Sequence, residues 1–193
     1  MTAVPATPKA EHHHSDVSGG WLRAATFGAM DGLVTNIALI AGVGGGGVSP
    51  HTIVLTGVAG LVAGAVSMGL GEYTSVRTSN EQVAAELDKE LRELRNNPDA
   101  EADELPSPWT AAFSSFVCFS IGALIPLITY LLGFDDLWPA LGVGGLGLFG
   151  AGALVARFTG KRWWLSGVRQ LALGALAAAI TYAIGALIGV GVS

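Results

Sequence analysis

Five stretches of this chain, at about 24–43, 51–76, 109–132, 138–158 and 165–191, stay apolar for as long as a helix needs to cross a bilayer, about 20 residues. Short punctuation separates them, as in "GGGGVSP", "GFDDLWP" and "FTGKRWW". Charge is distributed to match. Only 13% of the residues are charged, roughly half the quarter usual in soluble domains. Of the 25 charged side chains, 13 lie between Arg77 and Glu104, and most others lie near the ends of the apolar stretches. A soluble bundle of apolar helices is the alternative, but the last stretch has no polar face to turn to water. The expectation is an all-α integral membrane protein with five transmembrane helices. A polar tail (1–20) precedes helices one and two (21–76), an acidic connection (77–108) follows, and three more helices complete the chain (109–193).

Placement of Lys and Arg orients such a protein. Lys9 and Arg23 lie in the tail and its flank, Arg77, Lys89, Arg92 and Arg95 in the second connection, and Arg157, Lys161, Arg162 and Arg169 around the fourth. With five spans, all ten basic residues fall on one side. The other side holds the Gly-rich loop, Asp135, Asp136 and an uncharged C-terminus. The N-terminus is therefore expected in the cytoplasm and the C-terminus outside it. Trp109, Trp138, Trp163 and Trp164 sit at span ends and read as interfacial anchors. Met1 to Gly20 is polar, so no cleavable signal is expected. The net charge of −5 comes from the acidic connection and gives no reason to expect nucleic-acid binding. Lone Cys118 in an apolar run forms no internal disulfide.

Ionisable groups inside spans usually face a bundle interior or a polar path. The first span, "FGAMDGLVTNIALIAGV", carries Asp31, followed by Thr35 and Asn36. The bland reading of Asp31 is an interfacial helix cap or a partner for Arg23. In the second span Gly60, Gly64, Met68 and Glu72 follow at four-residue spacing along one helical face. That face is small for two turns, then offers a thioether and a carboxylate. Carboxylate oxygen suits hard divalent ions, and a thioether adds preference for a softer transition metal. Ligands must be deprotonated to bind, so a carboxylate that trades a proton for a metal ion supplies coupling. No Walker A motif is present. Gly185 and Gly189 form a GxxxG, a pointer to helix packing.

The acidic connection reads "RTSNEQVAAELDKELRELRNNPDAEADELPSP". Val83, Leu87, Leu91 and Leu94 recur at helical spacing, so the second span is expected to run on as an amphipathic helix. Asn97-Pro98-Asp99 should break it and cap a short further helix. Glu90 with Glu93, and Glu101 with Glu104, are ExxE pairs, each placing two carboxylates on one face. Folded together they can hold a divalent ion; the plainer reading is a solvated acidic helix pair. His12, His13 and His14 stand in the tail, where three consecutive side chains do not converge on one ion from one helix face.

"FGAMDGLVTNIALIAGV" followed by "GLVAGAVSMGLGEYTSVRTSNE" resembles the first two spans of the vacuolar iron transporter family, and "PWTAAFSSFVCFSIGALIPLITYLL" resembles its third. The likeness covers about residues 18–191. It implies a five-helix homodimer in the lipid bilayer that exchanges Fe²⁺ or Mn²⁺ for protons and removes metal from the cytosol. A pore at the dimer interface would have Asp31 and Met68 as ligands. As a bacterial-type member the chain would be a multi-pass protein of the plasma membrane. The resemblance also assigns Glu90, Glu93, Glu101 and Glu104 to the first two helices of a three-helix cytoplasmic metal-binding domain. The third helix is missing here, since "DAEADELPSPW" runs almost directly into the third span. The competing function is a non-transporting membrane metal sensor or scaffold.

Overall fold

The structure is a computed structural model that describes residues 19–93 and 105–192, with the backbone alone for 19, 87–93 and 190–192. Its five helices are α1 (Gly19–Gly45), α2 (Pro50–Glu93), α3 (Pro108–Leu131), α4 (Leu137–Thr159) and α5 (Trp163–Val192). All five are long and apolar enough to cross a membrane. Local chemistry marks the breaks. Gly47, Gly133 and Gly160 take positive φ (74°, 91° and 64°) after α1, α3 and α4, a region open to glycine at no steric cost. Ser107 caps α3, with Pro108 at the first helical position. At 44 residues α2 is about 66 Å long, roughly twice the hydrocarbon thickness, so the second span does continue past the bilayer as one helix. The proposed break at Asn97-Pro98-Asp99 lies outside the described residues.

Helices in lipid gain little from the hydrophobic effect and associate by close packing at small residues. The α1–α3 contact shows this in the extreme. A Cβ on Gly28 would lie 2.6 Å from the Ser115 carbonyl oxygen, and one on Gly32 would overlap the Phe119 carbonyl. From the other side, a Cβ on Gly122 would overlap the Ala29 carbonyl. The two backbones touch. A second such seam joins α1 to α5, where Gly185 meets the Gly42 carbonyl and Gly189 the Gly46 carbonyl. The GxxxG of the last span therefore packs within the chain, against a GxxxG of the first. Helix α4 runs antiparallel to α1, with Gly144 against Ile37 and Gly147 against Leu33, and meets α5 through Gly152 and the Ser166 carbonyl. Helix α2 lies on α3, where Ala65, Phe119 and Ala123 form a buried cluster with Leu61 and Met68 at its edge.

Because α1, α3 and α5 run parallel and α2 and α4 opposite to them, chemistry segregates by end. Every Lys and Arg with a described side chain (Arg23, Arg77, Arg157, Lys161, Arg162, Arg169) lies at one end of the bundle, and Asp135 and Asp136 lie at the other. Apolar side chains cover the outside, among them Leu173, Leu176, Ile180, Ile184 and Leu187 of α5, and exposed Trp109, Trp138, Trp163 and Trp164 mark the helix ends. This is the surface a bilayer requires.

The glycine seam makes a sharp prediction. Gly32→Val should abolish a monodisperse peak in fluorescence-detected size exclusion, because the obstacle is backbone, which cannot rotate away. Gly150→Ala, where an added Cβ meets nothing within 4 Å, should elute as the parent does.

Candidate metal site

Two contacts show how α1 and α2 face each other. Arg23 Nη2 donates to Glu72 Oε1 at 2.6 Å, and a Cβ on Gly60 would lie 2.9 Å from Leu39 Cδ1. Arg23, Phe27, Asp31, Thr35 and Leu39 form one i,i+4 ridge of α1; Glu72, Met68, Gly64 and Gly60 form one of α2. The contacts join the ends of the two ridges in antiparallel order. Ala24 clustering with Val76, and Ile40 with Ile53, keep the same register. Asp31 is thus halfway along its ridge, at the depth of Gly64 and Met68.

Asp31 is half-buried and has no ion-pair partner among the described residues. Arg23, which offered itself as that partner in the sequence, is taken by Glu72. Helix geometry explains the choice. Asp31 is two turns further along α1, about 12 Å from Arg23 by rise alone. Met68, half-buried, borders the Ala65–Phe119–Ala123 cluster. The Glu72 side chain is 11% exposed, whereas its Arg23 partner is 66% exposed, so the carboxylate is sheltered and the cation is not. The structure therefore sets Asp31, Met68 and Glu72 within about two turns of one another in depth, with Glu72 held to α1 through Arg23 and Met68 packed on the α3 cluster. It does not bring three His, Cys, Asp or Glu side chains together anywhere among the described residues. The side chains of Glu90 and Glu93 on the last turns of α2, and the residues Glu101 and Glu104, lie outside the described set, as do His12, His13 and His14.

In the sequence Asn36 reads as a polar neighbour of Asp31 and, with Thr35, Met68 and Glu72, as part of one mixed set of candidate ligands. In the fold it is 1% exposed and crosses to α3, its Nδ2 donating to the Ala123 carbonyl at 2.5 Å. Its Oδ1 is buried without a partner and faces the Gly57 and Gly60 surface of α2. No spacing rule announced this role; a buried amide within a span was the one available signal. A groove of about 700 Å³ opens further along the α1–α5 seam, but it is lined by apolar and small residues such as Leu39, Gly42, Ile184 and Gly185 and contains no candidate ligand. Around the basic end, Tyr73 packs on Trp109 with ring centroids 4.7 Å apart, and Asn80 donates to the Pro106 carbonyl at 2.9 Å. These contacts hold the long α2 against the start of α3.

With the geometry in place, comparison with known proteins adds a second line. The model of the VIT family matches residues 22–107 and 101–186. The chain is 40% identical over 178 residues to the "Vacuolar iron transporter homolog 1" of Oryza sativa subsp. japonica, covering 88% of this chain and 74% of that protein. It is 40% identical over 176 residues to homolog 2 of the same organism, covering 85% and 88%. It is 38% identical over 176 residues to homolog 3 of Arabidopsis thaliana, covering 88% and 84%.

The Asn36 bridge predicts its own measurement. Asn36→Ala removes a buried interhelical hydrogen bond and leaves a void, and should cost about 1–3 kcal/mol. Thermal unfolding in detergent should show the loss as a lower Tm, while Thr35→Ala on the neighbouring ridge leaves Tm close to the parent value.

Proposed function

The chain belongs to the VIT family, and from that premise we propose that it transports divalent transition-metal ions, Fe²⁺ and Mn²⁺, out of the cytosol in exchange for protons. The observation that carries the reading is Asp31, a carboxylate midway along a span with no ion-pair partner among the described residues. A carboxylate at that depth is expensive unless it faces a polar path or a ligand. The relatives' names speak of iron. A carboxylate with a thioether suits a borderline ion such as Fe²⁺ and tolerates the harder Mn²⁺.

In this mechanism a hydrated ion arrives at the basic, cytosolic end and meets Glu72. It passes one turn down α2 to Met68 and reaches Asp31, which binds it as the carboxylate. Deprotonation is required for binding, so a proton arriving from the far side releases the ion and resets the site. One protomer brings too few ligands for a divalent ion. A two-fold homodimer with α1 and α2 at its axis would present each ligand twice, because an isologous interface brings a patch against itself. The plasma membrane is the proposed site of action. Glu90, Glu93, Glu101 and Glu104 would act before the path as a weak collecting site without the family's third helix. A sensor or scaffold would bind metal yet move none.

Two measurements on proteoliposomes test the reading. Asp31→Asn should abolish Fe²⁺ and Mn²⁺ uptake while keeping the size-exclusion profile; Met68→Ala should cut Fe²⁺ uptake by about tenfold and Mn²⁺ uptake less, since the soft ligand favours the softer ion. Flux persisting in Asp31→Asn would sink the mechanism. Separately, Mn²⁺ entering vesicles should drive protons out, read as alkalinisation by a trapped pH dye. A dye that stays silent during uptake would make transport uncoupled.

A further inference from the structure

We infer that Arg23 is a tethered competitor for the metal at Glu72, so that the mouth of the path is held closed by the chain's own cation until a divalent ion displaces it. The inference rests on the reading of Glu72 as a ligand. Its observation is independent of that reading: the Arg23 guanidinium touches the Glu72 carboxylate at 2.6 Å across the α1–α2 seam. A guanidinium and a divalent cation cannot share that carboxylate without like-charge repulsion at close range. Binding of one therefore requires departure of the other.

The geometry suits a latch rather than a clasp. Only Nη2 of Arg23 engages Glu72, a single hydrogen bond where a bidentate fork is available to the side chain. The guanidinium end is 66% exposed and can swing into water, while the carboxylate is 11% exposed and stays in the seam. Helix docking at this level does not depend on the pair, because Ala24, Val76 and Ala111 pack beside it and Tyr73 packs on Trp109. Glu72 is also the outermost of the three candidate ligands: Met68 lies one turn deeper along α2, and Asp31 two turns deeper than Arg23 along α1. A cation there meets the metal before the deeper ligands do. The apparent affinity of a site that is competent only part of the time falls by that fraction, so Arg23 sets the cytosolic metal concentration at which transport begins.

The test measures Mn²⁺ uptake into proteoliposomes as a function of Mn²⁺ concentration. Arg23→Gln should lower the half-saturating concentration by about threefold to tenfold, the range in which an exposed ion pair keeps its carboxylate occupied. Arg77→Gln is the control. It removes the same charge from the same end of the bundle, where Arg77 pairs with Glu81 instead, and should shift half-saturation by less than about twofold. Glu72→Gln should raise the half-saturating concentration, and Arg23→Gln should have no further effect in the Glu72→Gln background. If Glu72→Gln raises it but Arg23→Gln leaves it unchanged or raises it too, Glu72 remains a ligand and the latch is overturned. If Glu72→Gln changes nothing, Glu72 is no ligand and the premise itself has failed. Failure of both Arg23→Gln and Arg23→Met to give folded protein would make the pair a structural clasp, which also overturns the proposal.

Discussion

Backbone contact between α1 and α3 is the constraint on which the rest of this structure depends. Inside a bilayer each helix satisfies its own hydrogen bonds, and no solvent drives helices together. What remains is the number of atoms two helices can bring into contact, and that is largest where neither has a side chain in the way. Gly28 and Gly32 of α1 and Gly122 of α3 provide such a place. Fixing this face of α1 fixes its others. The Gly42–Gly46 end goes to α5, Leu33 and Ile37 go to α4, and the ridge from Arg23 to Leu39 is left for α2. A carboxylate on that ridge is thereby kept out of the dry contact and set at its edge.

How much of this could be read from the residues follows from the range of the forces involved. Span number and span limits depend on hydrocarbon thickness and on the cost of charge in lipid, both visible one segment at a time. Each of the five expected stretches matches one helix, the third overrunning α3 by the single residue Leu132, and α2 runs on to Glu93 as the Val83–Leu94 spacing suggested. Partner choice depends on contacts far apart in the chain, and there the residues were ambiguous. The Gly185–Gly189 motif said that something packs closely, but not that the partner was Gly42 and Gly46. Arg23 stood as a partner for Asp31 in the plainer reading, and the fold pairs it with Glu72, 49 residues away, instead. The bridge from Asn36 to the Ala123 carbonyl, 87 residues away, left only the mark of an amide within a span, with nothing to say which helix it crosses to. A neighbouring threonine and asparagine look alike in a sequence until the helix is rotated onto its neighbour.

Seams of two kinds meet at α1, and the difference bears on what can move. Against α3 and α5 the obstacle to any substituent is carbonyl oxygen and α-carbon, which yield only if a helix moves. Where α2 meets its neighbours at Gly57, Gly60 and Gly64, the nearest obstacles are side chains: Leu39 Cδ1 of α1 at Gly60, and Leu127 Cδ1 and the Phe119 ring of α3 at Gly57 and Gly64. A side chain can yield by changing rotamer, where a backbone carbonyl cannot. Helix α2 can therefore slide or tilt by repacking side chains, while α1, α3 and α5 keep their backbone contacts. A path that must admit an ion and then close needs one compliant wall and one rigid wall. The candidate ligands are divided in that sense, with Asp31 on the rigid wall and Met68 and Glu72 on the compliant one. A shift of α2 would change the distance between carboxylate and thioether directly, and with it the affinity of any ion held between them. The orphan Asn36 Oδ1, pointing from the rigid wall at the glycine surface of α2, would be among the first groups such a shift exposes.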